Sequence, residues 1–422
     1  MNGRKPIVIY SLYPYRCMMS GLINMHLAWI EGVGLYFGWL LQSLMRIRDP
    51  RAPLGFRRLL LLIAVLPLFI GVQLGHGVAL LLDELLFPRY RRQKIEQALF
   101  VIGVPRSAST FVHRTLSADQ TRYTTLATWE LLLAPALCQR QLLRALGAVD
   151  RRLGGWGKRV IQWSISRASG QWDSVHEVSL QAPEEDYLAL LPAGGCFVLL
   201  LAFPAASSIQ SLADFHQHPS AGRRKRLLAL YEGCLQRHLH YHGTGRVLLS
   251  KNAALSSWFA QLAKHFPQAR FLVTLRDPRS ALSSQISAVK EAAGYLGVRI
   301  THPAAEQVFV DHYAAGLQHL EQHVEQLPRE RVAVIDASDL RRHPGITLRA
   351  ALTRLAEPIS EKLSAELERL DNSPPSPSSH EHDPSRLTTS EGTLRSRLMP
   401  PYLGLLRGER RVSPNEVPVE VE

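Results

Sequence analysis

The amino-acid sequence predicts an α/β fold with a mostly parallel central sheet. Short apolar runs alternate with longer amphipathic stretches from residue 98 onwards, and small or cationic turns follow several runs. The runs are apolar at successive positions, as in strands that helices cover on both faces, so we expect three layers. The predicted strands are residues 100–104, 197–201, 247–250, 270–275 and 332–335. The predicted helices are residues 111–118, 131–149, 184–190, 223–240, 256–265, 279–290, 304–326 and 346–355.

We expect the chain to have three parts. Residues 1–95 form an apolar helical region associated with a membrane, residues 96–371 form the α/β domain, and residues 372–422 form a linker or lid and a C-terminal tail. Residues 372–385 are rich in proline, serine and histidine, a composition typical of exposed linkers.

The membrane association is predicted from residues 59–82, which contain no Asp, Glu, Lys or Arg and are long enough to cross a bilayer core. Pro67 interrupts them, and arginines flank them on both sides. A kinked span and a helix that lies in the lipid interface therefore both remain open. A helical hairpin buried against the α/β domain is the alternative that needs no membrane.

Charge and cysteine content limit the function classes. The 422 residues carry a formal net charge of +13, which suits nucleic acid, an anionic membrane surface or an anionic cofactor. The sequence has no basic low-complexity tail and no zinc-finger spacing, so nucleic acid is the least favoured partner. Its four cysteines are scattered without CxxC pairing, which favours a reducing compartment and predicts neither a disulfide framework nor a metal site.

The first motif is ALFVIGVPRSASTFVHRTL, residues 98–116. It predicts a buried strand, a loop of small residues (Ser107, Ala108, Ser109 and Thr110) and the start of a helix. Free N–H groups and the helix dipole favour an anion at such a helix start, and Arg106 adds a guanidinium that matches a phosphate or sulfate. The alternative is an ordinary strand-to-helix turn with a surface arginine.

Two further cations follow predicted strands. In FLVTLRDPRSALSSQ, Arg276 stands at the end of the strand and Ser284 lies eight residues later, about two helical turns on, so both could contact one phosphate. In VLLSKN, Lys251 ends a buried strand, where its ammonium could stabilise charge on a leaving oxygen. Each alone is equally compatible with a solvated surface cation.

Taken together, the segments GVPRSAST, LLSKN, FLVTLRDPRSALSS and VAVIDASDLRRHP resemble the sulfotransferases that use 3′-phosphoadenosine 5′-phosphosulfate (PAPS), and most closely their broad bacterial-type branch. The resemblance implies a P-loop-like α/β domain in which Arg106, Ser107, Ala108, Ser109 and Thr110 hold the 5′-phosphosulfate. It also implies that Arg276 and Ser284 hold the 3′-phosphate and that Lys251 is catalytic. Ala108 departs from the glycine that the family motif has.

The resemblance further implies in-line transfer of a sulfuryl group to a hydroxyl or amine, which requires a base for the acceptor proton. Glu130 in ATWELL is one candidate, and His176 with Glu177 in SVHEVSLQAPEEDYLALL is the other. The same segment carries Glu184 and Glu185, which fit equally well as carboxylates at a helix start. No metal is expected in this chemistry.

Two other functions remain as alternatives. A P-loop-type kinase would need a GK[ST] ending that the first motif lacks, and a non-catalytic membrane-associated scaffold would retain only the fold. Under the leading hypothesis the acceptor is a small molecule, a lipid or a glycan. The enzyme is then membrane-associated, with its catalytic domain in the cytoplasm.

Overall fold

The computed structural model describes residues 13–157, 159, 160, 163, 180–373, 385 and 387–414. It confirms the predicted α/β fold with a parallel sheet and an N-terminal apolar helical region. Strands run in the order β2-β3-β1-β4-β5, and all neighbours are parallel. The strands are β1 (Ala98–Gly103), β2 (Tyr123–Thr124), β3 (Val247–Asn252), β4 (Arg270–Leu275) and β5 (Val332–Asp336).

Strand β1 lies at the centre of the sheet and is buried along its whole length. Leu99 and Val101 pack into the apolar core on one face, whereas Phe100 and Ile102 pack into the core on the other. This alternation is why the segment is apolar at every position, and it brings the loop after β1 to the middle of the sheet edge.

The N-terminal region is helical and packs on the domain. Its elements are α1 (Tyr13–Met45), α2 (Phe56–Leu60), a π-helical turn at Leu61–Val65 and α3 (Leu66–Leu86). Among the described residues, the continuous helix Phe56–Leu86 is the one that is long and apolar enough to cross a membrane. Its inner stripe is buried, as are Tyr36 and Trp39 of α1, in the same core as the α/β domain.

The remaining helices cover both faces of the sheet. They are α4 (Ser109–Ser117), α5 (Thr128–Leu132), α6 (Leu137–Arg152), α7 (Ser207–Gln210), α8 (Ala221–His242), α9 (Phe259–His265), α10 (Pro278–Tyr295), α11 (Pro303–His323), α12 (Ala337–Arg342), α13 (Pro344–Arg354), α14 (Glu361–Asp371) and α15 (Glu391–Arg407). Short 3₁₀ helices occupy Pro88–Arg92, Asp186–Ala193, Phe197–Leu201, Ser211–Asp214, Ala253–Trp258, Val324–Gln326 and Arg329–Arg331.

The prediction of a strand at residues 197–201 is wrong, because Phe197–Leu201 forms a 3₁₀ helix. A five-residue apolar run suits a buried helical turn as well as a strand, and periodicity does not separate the two. The two-residue edge strand β2 left no pattern to detect. The single helix predicted over residues 131–149 is two helices, since α5 ends before Pro135 and α6 begins after it.

Part of the C-terminal segment belongs to the packed domain. Helix α15 buries Leu394, Leu398 and Leu405, and Val412 beyond it is buried against the sheet. The sequence pattern did not predict this helix. The three-part division of the chain stays a prediction.

Candidate active site

A cavity of about 820 Å³ lies at the carboxyl ends of the strands. The loop after β1, the end of β3, the turn after β4 and the start of α12 after β5 all contribute to its walls. This is the edge where ligands bind in open parallel sheets. Its lining includes Arg106, Ala108, Ser109, Thr110, Glu184, Glu185, Lys251, Arg276, Arg341 and His312.

The loop after β1 turns sharply into α4. Arg106 and Ala108 both have left-handed backbone conformations, with φ of 64° and 69°. The first hydrogen bond within α4 runs from the Val112 N–H to the Ala108 carbonyl, so the preceding N–H groups have no partner inside the helix. Ser109 and Thr110 lie in that first turn and line the cavity. The arrangement suits an anion at the helix start.

The Ser107 side chain is not placed to contact an anion in the cavity. It is fully buried, its hydroxyl donates to the Val104 carbonyl at 2.6 Å, and its Oγ lies 2.7 Å from Thr274 Oγ1 on β4. It is not among the side chains that line the cavity. Ser107 therefore holds the loop against the neighbouring strand.

The predicted cations of the two motifs meet at the cavity. Arg106 Nε donates to Ser284 Oγ at 3.0 Å, and Arg276 Nη1 donates to the Arg106 carbonyl at 3.2 Å. Burial, followed by the charges of Arg341 and Arg106, lowers the pKa of Arg276. Ser284 is fully buried behind Arg106 and does not itself line the cavity. Like charges held this close favour an anionic ligand.

Arg341 is a cation that the sequence analysis did not single out. It lines the cavity from α12, the short helix that directly follows β5. Its segment VAVIDASDLRRHP had the same signal as the Arg276 motif, an apolar strand followed by cations. The strand-end rule could therefore have identified Arg341.

Lys251 on β3 is paired with a carboxylate inside the cavity. Its Nζ lies 2.9 Å from Glu185 Oε1, and only a small part of the lysine is exposed. The adjacent Asp186 is buried and accepts from Asn252, which also contacts Tyr231, so the backbone beside Glu185 is held in place. Burial raises the pKa of Asp186 to about 7, against hydrogen bonds that act in the other direction.

Glu130 lies outside the cavity. It is 1% exposed, its Oε1 lies 2.8 Å from Arg140 Nη1, and it contacts His238 Nδ1 at 3.1 Å and His242 Nε2 at 3.0 Å. Burial alone would raise its pKa, but the two histidine hydrogen bonds and the charge of Arg140 hold it well below the ordinary value. The geometry does not favour the prediction that Glu130 is the base. His176 and Glu177 lie outside the described residues.

His312 and its neighbours form a wall that sequence reasoning missed. The His312 ring stacks on Phe197 with centroids 4.1 Å apart, and Phe309 meets Phe197 edge to face. All three residues line the cavity. Burial lowers the pKa of His312 to about 4, and its buried Nδ1 has no hydrogen-bond partner within the part of the chain that the structure describes. A histidine on an amphipathic helix gives no signal in sequence that separates this position from a surface one.

Among the residues that the structure describes, two groups of side chains have distances that would suit a metal ion. One is Glu130 with His238 and His242, and the other is His216 with His319 and His323. The first group already has Arg140 beside its carboxylate, which opposes a cation. Neither group borders the cavity.

Comparison with known proteins supports the assignment of the fold. A family model described as the sulfotransferase family matches residues 98–361. The chain is similar in structure to sulfotransferase STF1 from Mycobacterium tuberculosis H37Rv, with a TM-score of 0.67, 14% identity and coverage of 87% of this chain and 92% of that chain. It is also similar to sulfotransferase STF9 from Mycobacterium avium, with a TM-score of 0.61, 17% identity and coverage of 88% and 90%.

At these identities the two structures establish a shared fold alone. A search of curated protein sequences finds no match to the chain. The family model, however, spans more than half of the 422 residues and includes the loop after β1, Lys251 and Arg276. The chain belongs to the sulfotransferase family.

Proposed function

We propose that the protein transfers a sulfuryl group from PAPS to the hydroxyl of an apolar acceptor. The observation that carries this proposal is the meeting of Arg106, Arg276 and Arg341 at one end of the cavity. PAPS bears a 3′-phosphate and a 5′-phosphosulfate, and a set of guanidinium groups beside a helix start matches such an anion. When bound, PAPS would supply the activated sulfuryl group.

The residues divide into binding and positioning roles. Arg276 and the N–H groups at the start of α4 would contact the anion directly, because they face the cavity. Ser284 would act through Arg106, whose guanidinium it accepts from. Lys251 would stabilise the negative charge that develops on the leaving oxygen once its pairing with Glu185 is relaxed.

His312 is our candidate for the base that takes the acceptor proton. With a pKa lowered to about 4 by burial, its imidazole is neutral at pH 7, and a ring nitrogen that turns toward the cavity would accept the proton of a hydroxyl. Glu185 also faces the cavity, but its carboxylate is engaged by Lys251. His312 and Glu185 are both better located than Glu130 to act as the base.

The wall around His312 supports an apolar acceptor. Phe197, Leu201, Val289 and Phe309 line this part of the cavity, so the acceptor would be largely apolar around its hydroxyl. Two elements of this wall end beside the N-terminal region, where Arg58 donates to the carbonyls of Leu296 and Ala202. A lipid alcohol that enters from a membrane surface suits this arrangement better than a glycan.

We further propose that the N-terminal region lies on a membrane, not across it, with the catalytic domain in the cytoplasm. Helix α3 is bound to the domain along its inner face, through His76 to Gln139 and through Asp83 to Arg237 at 2.7 Å. A bilayer span would break these contacts, whereas an interfacial position keeps them and covers the exposed Leu68 and Leu85.

The first experiment measures the melting temperature of the protein with millimolar 3′-phosphoadenosine 5′-phosphate (PAP), the spent donor. We expect a clear rise, and no rise would contradict the proposal.

The second experiment follows transfer of label from PAPS to a lipid extract and to soluble glycans. We expect labelled lipid with the wild type and at least a hundredfold lower rate with Lys251→Ala, while the exposed Lys264→Ala serves as the matched control.

A further inference from the structure

Helix α6 and the segment that follows it expose an apolar surface that sulfuryl transfer does not use. Leu142, Leu146, Leu153 and Trp156 are among seven large apolar side chains between residues 142 and 160 that are 40% to 70% exposed. The helix buries only Leu137 and Arg140. Soluble monomers rarely expose a continuous apolar surface of this kind without a partner.

The start of α6 is held against α3. Asp83 of α3 accepts from the N–H groups of Leu137 and Cys138 at 2.7 Å and 2.8 Å, so it fixes the start of α6 against α3. Leu132, at the end of α5, has an exposed side chain, and its backbone carbonyl contacts His76 of α3. The neighbouring helices α3, α5 and α6 therefore all carry exposed apolar side chains.

The charges beside this surface identify its partner. Arg144, Arg151, Arg152 and Arg159 are exposed, and Asp150 is the one acidic residue between 137 and 160. Apolar side chains with arginines around them are typical of elements that lie at the interface of an anionic bilayer.

We propose that α6 and the described residues that follow it, including Trp156 and Arg159, form a second membrane-binding element, which with α3 seats the protein on an anionic lipid surface. The leucines and Trp156 enter the headgroup boundary, and the arginines contact lipid phosphates. The proposal extends the membrane association proposed above and does not depend on the catalytic assignment. This element could not be predicted from a long apolar segment, because α6 does not contain one.

The test uses the full-length protein and vesicles of phosphatidylglycerol and phosphatidylcholine that carry bromine on their acyl chains. Bromine quenches tryptophan fluorescence at short range, so Trp156→Phe should remove a quenched component if Trp156 enters the lipid. In flotation assays, Leu142→Glu with Leu146→Glu should lower vesicle partition at least tenfold. Leu403→Glu, at a leucine of α15 that is also exposed, is the matched control and should leave partition unchanged.

The same quenching in wild type and Trp156→Phe would overturn the proposal. Loss of a dimer in the double leucine variant, with that same unchanged quenching, would also overturn it and assign the surface to a second copy of the chain. The rise in melting temperature with PAP should persist in the double variant, which shows that its domain is folded. A wild type that binds vesicles but not PAP would contradict the proposed sulfuryl transfer alone.

Discussion

The guanidinium of Arg106 donates to the hydroxyl of Ser284 at 3.0 Å, across 178 positions of the sequence. This contact joins the loop after β1 to the second turn of α10. Because Arg276 also donates to the Arg106 carbonyl, the two motifs form a single cationic unit at the cavity. The motifs therefore depend on each other, and a change in one should alter the anion affinity of both.

The first prediction concerns the direct contact. Arg276→Ala should weaken PAP binding by about thirtyfold or more, since a hydrogen bond to a charged group contributes roughly 1.5–3 kcal/mol. Ser284→Ala should cost less, about fivefold, because it removes only the acceptor for Arg106. Calorimetric titration with PAP measures both. Arg279→Ala, whose guanidinium pairs with Glu391 outside the cavity, is the control. Equal losses for Arg276→Ala and Ser284→Ala would mean that the serine contacts the anion directly.

A second prediction follows from the backbone at Ala108. With φ at 69°, this alanine is in the left-handed region, which costs an L residue roughly 1–2 kcal/mol. Ala108→Gly should therefore stabilise the protein by about 1 kcal/mol after the entropy of glycine is included, which for a chain of 422 residues is a rise of about 1 °C in melting temperature. Ala118→Gly, at an exposed residue with φ of −64°, should stabilise nothing. A lower melting temperature for Ala108→Gly would show that the loop is unstrained.

Glu130 is predicted to stabilise the fold. Glu130→Gln leaves Arg140 buried without its carboxylate partner, which should cost about 3–5 kcal/mol in the free energy of unfolding at pH 7. Because the pKa of Glu130 is lowered in the folded protein, its contribution is present above the unfolded pKa of about 4.3 and is lost as the pH falls below it. Urea unfolding from pH 7 down to pH 3 should therefore show the difference between wild type and variant shrinking.

The control for that series is Glu330→Gln, at an exposed carboxylate. If Glu130→Gln abolished sulfuryl transfer while its unfolding curve matched that of the wild type, Glu130 would be the base after all.

The proposed base makes a pH prediction. His312→Asn should lower kcat by about a hundredfold or more with little change in KM. Since burial lowers the pKa of His312 to about 4, the imidazole is protonated and inactive only below that value. The wild-type rate should therefore fall as the pH drops toward 4, and the variant should lack this dependence. His319→Asn, at another buried histidine of α11 that lies outside the cavity, is the matched control. An unchanged kcat in His312→Asn would exclude His312.

Much of the fold and half of the site could be predicted because both depend on local patterns. Strands β1, β3, β4 and β5 are apolar on both faces, and that property is visible in any short window of sequence. Once the strands are parallel, their carboxyl ends share one edge, so the residues that follow them must lie together. Lys251 and Arg276 were predicted by that rule, and Arg341 could have been. Arg106 was predicted from the loop of small residues at the start of a helix.

The rest of the site depends on contacts between distant segments. Glu130 has the same local context as a catalytic carboxylate, and only its burial beside Arg140 and His238 distinguishes it. His312 reaches the cavity because α11 packs under the 3₁₀ helix that carries Phe197, a segment with the apolar pattern of a strand. No window of sequence contains either relationship.

By itself the sequence determined the parallel sheet, the family and the cations at the strand ends. The reason is that buried strands alternating with helices produce a pattern of apolar residues that can be recognised in short windows of sequence. The tertiary structure decided which carboxylate and which imidazole share the cavity with those cations, and which apolar helix faces remain exposed. Those properties depend on what each side chain packs against, and the partners lie more than about a hundred positions away in the sequence.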